Sequence, residues 1–191
     1  ADWEITLLDH SEADETAGLN NFGDDYIAGG PHDDTIFGQL GDDVIQGDGS
    51  IEELVAAARQ ADNSLIVDPS VVESTSDGDD YIEGNGGNDV IFGNLGQDDI
   101  LGGSSDLFSL ISPELRPDGS DLIFGGAGTD LERNHLGDTT TEGHARDADV
   151  IAGDNANIYR LVGINAIDDS AYLIFHYDNY DTLRIIPRAV T

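Results

Sequence analysis

The chain has 191 residues, with 40 acidic against 7 basic side chains and a formal net charge of −33. All seven basic residues are Arg, Asp outnumbers Glu by 30 to 10, and there are 24 Gly but no Cys or Met. Such a surface excludes nucleic acid and an anionic membrane face as partners, because both are bound through cations. No apolar run nears the roughly 18 residues of a membrane span, and without Cys neither a disulfide scaffold nor a thiolate metal site can form. The chain opens with neither Met nor a secretion signal, as expected of a processed protein or an excised fragment. A hydrophobic fraction of 38% argues against a wholly disordered chain.

Residues 1–19 hold one apolar stretch, from Trp3 to Leu8, which is expected to cap one end of a repeat array that starts at Asn20. The period of that array is nine, with units at 20–28, 29–37 and 38–46. The fourth unit starts Gly47-Asp48-Gly49 and resumes at Gly78, leaving 50–77 as an insertion. Units 84–92 and 93–101 are unbroken, the seventh is split by 105–118, the eighth is read as 125–133, and the ninth is split by 137–146 and ends at Ala152. Residues 20–152 thus read as nine nonapeptides with three insertions. Asp holds position six in all of them: Asp25, Asp34, Asp43, Asp80, Asp89, Asp98, Asp121, Asp130 and Asp149. Ile holds position eight in every unit but one, where Glu132 stands.

Gly at positions one and four permits tight turns, and positions seven to nine are β-prone. Each unit therefore reads as a six-residue turn and a three-residue strand. Successive strands fall on opposite sides, so two units make one coil, and stacked coils give two parallel sheets with the Ile residues between them. Positions seven and nine point outward. On the odd-numbered sheet they include Val44, Val90, Leu122, Val150, Phe92 and Phe124, a face too apolar to leave wet. In the first insertion Ser50-Ile-Glu-Glu53 forms a capping box, and Ile51, Leu54, Val55 and Ala58 follow at helical spacing. This predicts an amphipathic helix over 51–60, and that helix or the C-terminal segment is expected to cover the apolar face; the alternative is a docking surface for the rest of a larger protein. Beyond Ala152 the period stops. Residues 158–162, 171–175 and 183–186 read as antiparallel strands of a C-terminal β cap spanning 153–191.

Stacking sets the position-six Asp of one turn beside that of the turn after next. Such carboxylates repel unless a cation lies between them. Asp oxygens and turn carbonyls are hard donors suited to Ca²⁺, with ~6–8 ligands at ~2.3–2.6 Å; Mg²⁺ demands a stricter octahedron and Zn²⁺ prefers His or Cys. Nine turns make seven such pairs, hence up to about seven ions, and metal binding and folding are expected to be one event. Acid below about pH 4 is expected to remove calcium and structure together. His135, Asp138, Glu142 and His144 around the third insertion offer an alternative transition-metal site. Asp68-Pro69 reads as a loop proline. No acid–base pair or nucleophile set stands out, so the chain reads as a non-enzyme.

At these repeats the sequence resembles the RTX (repeats-in-toxin, hemolysin-type) family, whose unit Gly-Gly-x-Gly-x-Asp-x-U-x is a known calcium-binding β-helix motif. The resemblance implies an all-β parallel roll, type I secretion, an extracellular location and folding on calcium after export. It implies a structural or spacer module within a larger secreted protein. An adhesion or polysaccharide-binding module, or the accessory domain of a secreted enzyme, is the alternative. Departures are His32 and Asp147 for Gly at position four, Asn20 and Asn134 for the first Gly, and Glu132 in an Ile position.

Overall fold

The computed structural model describes residues 4–7, 22–71, 73–131, 140–163, 171–172, 178–180 and 183–191. Three-residue strands follow one another at the repeat spacing: β1 (Tyr26–Ala28), β2 (Thr35–Phe37) and β3 (Val44–Gln46). The first insertion contributes β4 (Ala56–Arg59) and β5 (Leu65–Asp68). The roll resumes with β6 (Tyr81–Glu83), β7 (Val90–Phe92), β8 (Asp99–Leu101) and β9 (Leu122–Phe124). A short helix α1 (Thr141–Arg146) precedes β10 (Val150–Ala152). Last come β11 (Ile158–Arg160), β12 (Val162–Gly163), β13 (Ala171–Tyr172), β14 (Asp178–Tyr180), β15 (Leu183–Ile185) and β16 (Arg188–Val190).

The protein is an all-β parallel roll with inserted loops and an antiparallel C-terminal β region. Alternate strands build two parallel sheets, in the orders β1-β3-β7-β9 and β2-β6-β8-β10. The register keeps Ile27, Ile45, Ile91 and Ile123 in one row and Ile36, Ile82, Ile100 and Ile151 in the other. Ile45, Ile82, Ile91 and Ile100 are fully buried between the sheets, whereas Ile151 on the end strand is exposed. One Ile per turn contributes about 1.5–3 kcal/mol, a thin core that needs support from outside it.

Three sequence expectations are corrected. The helix over 51–60 is a β-hairpin, with β4 antiparallel to β5 from Ala56↔Asp68 to Arg59↔Leu65. A helix starting there would require the Val55 N–H to donate to the Ile51 carbonyl; it donates instead to Tyr26 Oη at 2.7 Å, and that hydroxyl donates to the Glu53 carbonyl at 2.8 Å. The reversal follows at Asn63 (φ 67°), with Asp62 Oδ1 accepting from Ser64 N and Oγ. Alanine-rich local propensity yields to those contacts.

Secondly, the strand beside β8 is β10, so 150–152 fills the slot expected for 131–133. The eighth turn leaves the roll after Gly125-Gly126-Ala127 and returns near Asp147, which makes eight turns rather than nine. The reason is energetic: the Leu131-Glu132-Arg133 strand would aim a carboxylate into the Ile row, at a cost of several kcal/mol, whereas 150–152 supplies Ile151. Glu132 itself lies outside the described residues. Thirdly, Val150 accordingly belongs to the even-numbered sheet.

The apolar outer faces are covered by the chain's own insertions. On the odd-numbered sheet Phe92 is fully buried and stacks on Phe124 at 4.7 Å; Gly128 and Val67 close over it, and Ser70 N donates to the Ala127 carbonyl at 3.0 Å. On the even-numbered sheet Phe108 of the second insertion meets Phe37 and Tyr81 edge-on at 4.9 and 5.7 Å. Of the expected N-terminal cap, residues 4–7 are described, and Leu7 N donates to the Phe108 carbonyl at 2.9 Å. β11 pairs antiparallel with β16, and Arg160 and Arg188 from that pair grip Asp99 of β8 at 2.6 and 2.8 Å.

Candidate metal centres

Each turn ends in its position-six Asp, and the strand that follows fixes where that Asp points. Its backbone N–H donates to Oδ1 of the Asp one coil further on. The distances are 2.7 Å for Asp25 to Asp43, 2.9 Å for Asp43 to Asp89 and 2.9 Å for Asp89 to Asp121 along one edge. Along the other edge they are 2.8 Å for Asp34 to Asp80, 2.8 Å for Asp80 to Asp98 and 3.0 Å for Asp98 to Asp149. Eight of the nine sequence-derived Asp residues therefore lie in two ladders with six steps, and splitting by an insertion does not remove a residue from its ladder. Asp130 is not in either ladder; Asp149 holds the place expected for it, and the expected Asp98–Asp130 and Asp121–Asp149 pairs are replaced by Asp98–Asp149.

With Oδ1 committed to the neighbouring coil, Oδ2 is left facing the turn. The Oδ2 atoms of Asp43, Asp80, Asp89, Asp98 and Asp121 are buried with no hydrogen-bond partner. Each lies against the position-one glycine of its own turn, and the carbonyl of the next coil's position-one glycine closes on the same spot. At Gly38 a Cβ would stand 2.5 Å from Asp43 Oδ2 and 2.5 Å from the Gly84 carbonyl. Asp34 with the Gly47 carbonyl at Gly29, Asp80 with Gly93 at Gly47, Asp89 with Gly102 at Gly84, Asp98 with Gly125 at Gly93, and Asp121 with Gly153 at Gly102 repeat the arrangement. A carboxylate oxygen and a backbone carbonyl oxygen thus crowd the same glycine at step after step, and hard oxygen donors of this kind suit Ca²⁺. Position one must be Gly because any side chain would occupy that space.

The electrostatics favour the same reading. Burial, before any other cause, pushes the Asp43 carboxyl up to about 6, those of Asp80, Asp89 and Asp149 to about 7 and that of Asp98 to about 9. The neighbouring carboxylates add to the rise and the coil-to-coil N–H donors oppose it. Asp34 and Asp121 move in the same direction, again through burial first. At neutral pH the bare ladder resists ionising, which a divalent cation would reverse.

Hard oxygen donors, one carboxylate and backbone carbonyls per step, fit Ca²⁺. Among the described residues no three His, Asp or Glu side chains converge, so each step relies on backbone carbonyls beside its carboxylate. Of the alternative site, His135 and Asp138 lie outside the described residues, as do the side chains of Glu142 and His144.

Sequence reasoning overlooked position five. Asp42 N donates to Asp24 Oδ1 (3.0 Å), Asn88 N to Asp42 Oδ1 (2.8 Å) and Ser120 N to Asn88 Oδ1 (3.0 Å); on the other edge Asp79 N donates to Asp33 Oδ1 (3.0 Å) and Gln97 N to Asp79 Oδ1 (3.1 Å). This outer ladder runs opposite to the inner one and clips each coil to the next. Its signal was readable: Asp or Asn fills position five at 24, 33, 42, 79 and 88.

A two-sheet parallel roll edged by stacked glycine-and-aspartate turns defines a calcium-binding β-roll. Residues 20–50, 74–106 and 118–131 match the RTX calcium-binding nonapeptide repeat in four copies. The match runs on to 131, past the point at which the roll departs from the repeat. Neither the comparison with curated proteins nor that with solved structures returned a match.

Proposed function

We propose that this calcium-binding roll is a folding-on-arrival module of a secreted protein. The chain leaves the cell unfolded by type I export, meets calcium outside, and folds into a rigid spacer within a larger extracellular protein. Asp25, Asp34, Asp43, Asp80, Asp89, Asp98, Asp121 and Asp149 serve as ligands, with six ions at the six steps in place of the seven expected from sequence. The observation that carries this is the row of buried Oδ2 atoms without partners, each meeting a glycine carbonyl. Buried charge left uncompensated costs several kcal/mol per ion, and here it recurs at successive steps. The net charge of −33 supports the same reading, since calcium relieves self-repulsion that would hold the chain open. Packing of Phe37, Tyr81 and Phe108, and of Phe92 and Phe124, against one another favours a spacer over a polysaccharide-gripping face. No catalytic role is proposed.

The test is circular dichroism with calorimetric titration of the full chain. Disorder in EGTA, β structure at millimolar Ca²⁺ and little response to equal Mg²⁺ are expected. Complete folding in EGTA at neutral pH would falsify the coupling.

A further inference from the structure

Position two of the nonapeptide is where the turn reverses. Gly30, Gln39, Asn85 and Asn94 hold it with φ of 91°, 78°, 71° and 73°. The fourth turn differs. Asp48 stands at position two, and the positive φ passes to the next residue, Gly49, at 78°. With that change the Asp48 side chain is fully buried. It is also the charged exception among position-two residues, which elsewhere in the first seven units are Gly, Gln or Asn.

Its carboxylate is poorly served there. Among the described residues the donor it meets is Gly78 N, shared between Oδ1 at 3.3 Å and Oδ2 at 3.2 Å, although a carboxylate offers about four acceptor sites. The charged groups acting on it are Asp80, Asp77 and Asp34, all of like sign, and no described Arg or His pairs with it. An independent feature points to what is missing. Asp80 Oδ2, fully buried and without a partner, lies against Gly47, the residue that precedes Asp48, together with the Gly93 carbonyl. Two buried carboxylates therefore flank one turn with no cation from the protein to balance them.

We propose that Asp48 is a further calcium ligand outside the position-six ladder. It supplies a second carboxylate at the step held by Asp80, makes that step the tightest of the ladder, and clasps the root of the first insertion. The inference rests on the calcium-roll reading above. Added ligand charge is what raises calcium affinity in oxygen-donor sites. The clasp follows from position: the insertion leaves the roll just after Asp48 and returns at Gly78, the residue whose N–H Asp48 already holds.

The test is competition of the full chain against a chromophoric calcium chelator, with circular dichroism as a check on folding. Asp48→Asn keeps an acceptor for Gly78 N, and Asp48→Gly restores the residue found at Gly30 and Gly103. Both variants should fold in millimolar calcium and weaken the tightest binding step by roughly tenfold or more, with the weaker steps unmoved. Unchanged or tighter binding in both would overturn the assignment, as would failure of both to fold at any calcium concentration, since Asp48 would then be structural. A wild-type chain that binds no calcium refutes the roll's proposed function; a wild-type chain that binds it, with both variants indistinguishable from it, refutes only the role of Asp48.

Discussion

The metal-free chain should gain structure as the pH falls from 7.5 to 5.0. In the unfolded chain the ladder carboxyls titrate near ~3.9; in the roll, burial first and neighbouring carboxylates second raise Asp43 to about 6, Asp80, Asp89 and Asp149 to about 7 and Asp98 to about 9. The folded state then binds more protons than the unfolded one across this window. Stability from these groups is complete below about pH 4 and is lost as pH rises through 6 to 9. For Asp89, buried and coupled to its ladder neighbours, the difference at pH 7 is at most about 4 kcal/mol, at 1.36 kcal/mol per pH unit. Asp43, Asp80, Asp98 and Asp149 shift in the same direction, so the folded chain takes up protons at several coupled steps of the ladder at once. Protonation can therefore stand in for calcium, and acid should separate loss of metal from loss of structure, contrary to the expectation from sequence. Far-ultraviolet circular dichroism in EGTA at low micromolar concentration reads this, with pH 5.0 chosen to stay above the isoelectric point of about 4.1. More than half of the penalty on Asp80, Asp89 and Asp149 is recovered by then. A β signal in EGTA that stays flat or declines between pH 7.5 and 5.0 would refute the reasoning.

Other perturbations separate the parts. Gly38→Ala places a Cβ between Asp43 Oδ2 and the Gly84 carbonyl and should remove one calcium from the titrated stoichiometry, whereas Gly153→Ala, with open space at its Cβ, should stay within about 0.5 kcal/mol of wild type. Asp149→Asn should remove a calcium step and Asp130→Asn should not; equal losses by calorimetry would restore the nine-turn register. Tyr26→Phe strips the acceptor for Val55 N and the donor to the Glu53 carbonyl and should cost about 1–3 kcal/mol in urea denaturation with calcium present. Arg188→Ala leaves Asp99 with Arg160 alone on a side chain 5% exposed; a loss of about 3–5 kcal/mol is expected in the same assay.

The parallel roll was legible because its signals are local and repeated. Ile at position eight and Asp at position six recur every nine residues, and no long-range fact is needed to stack them. What the sequence hid depends on contacts between distant segments. Nothing near Ala56-Ala-Ala-Arg59 announces a strand; the deciding partner is Tyr26, about thirty residues earlier, whose hydroxyl takes the amide a helix would use. The eighth turn misled for a different reason. Gly125-Gly-Ala-Gly-Thr-Asp130 satisfies the turn motif in full, so pattern matching runs through it. The contrary signal was Glu132 in the Ile position, a single residue whose cost exceeds the benefit of an otherwise good turn. Asp99 likewise broke the apolar habit of position seven, and its explanation, Arg160 and Arg188, lies far along the chain.

The insertions sit where the ladder can tolerate them. The oxygens at each step come from position one, through a carbonyl, and from position six, through a carboxylate. The chain departs after position three in the fourth, seventh and eighth turns and returns ahead of position six. The coil-to-coil bonds across the split turns, Asp34 to Asp80, Asp80 to Asp98, Asp89 to Asp121 and Asp98 to Asp149, measure 2.8–3.0 Å; those that join unbroken turns, Asp25 to Asp43 and Asp43 to Asp89, measure 2.7 and 2.9 Å. Lengthening a loop adds only about 0.6 kcal/mol per doubling, whereas losing a ligand forfeits a whole step. The same excursions then return over the outer faces, Val67 and Gly128 toward Phe92 and Phe108 toward Phe37 and Tyr81. A core of one Ile per turn is thus thickened from outside by segments that the ladder itself holds at their roots, so under the proposed function an ion that ordered the turns would also fix the anchors of the covering layer.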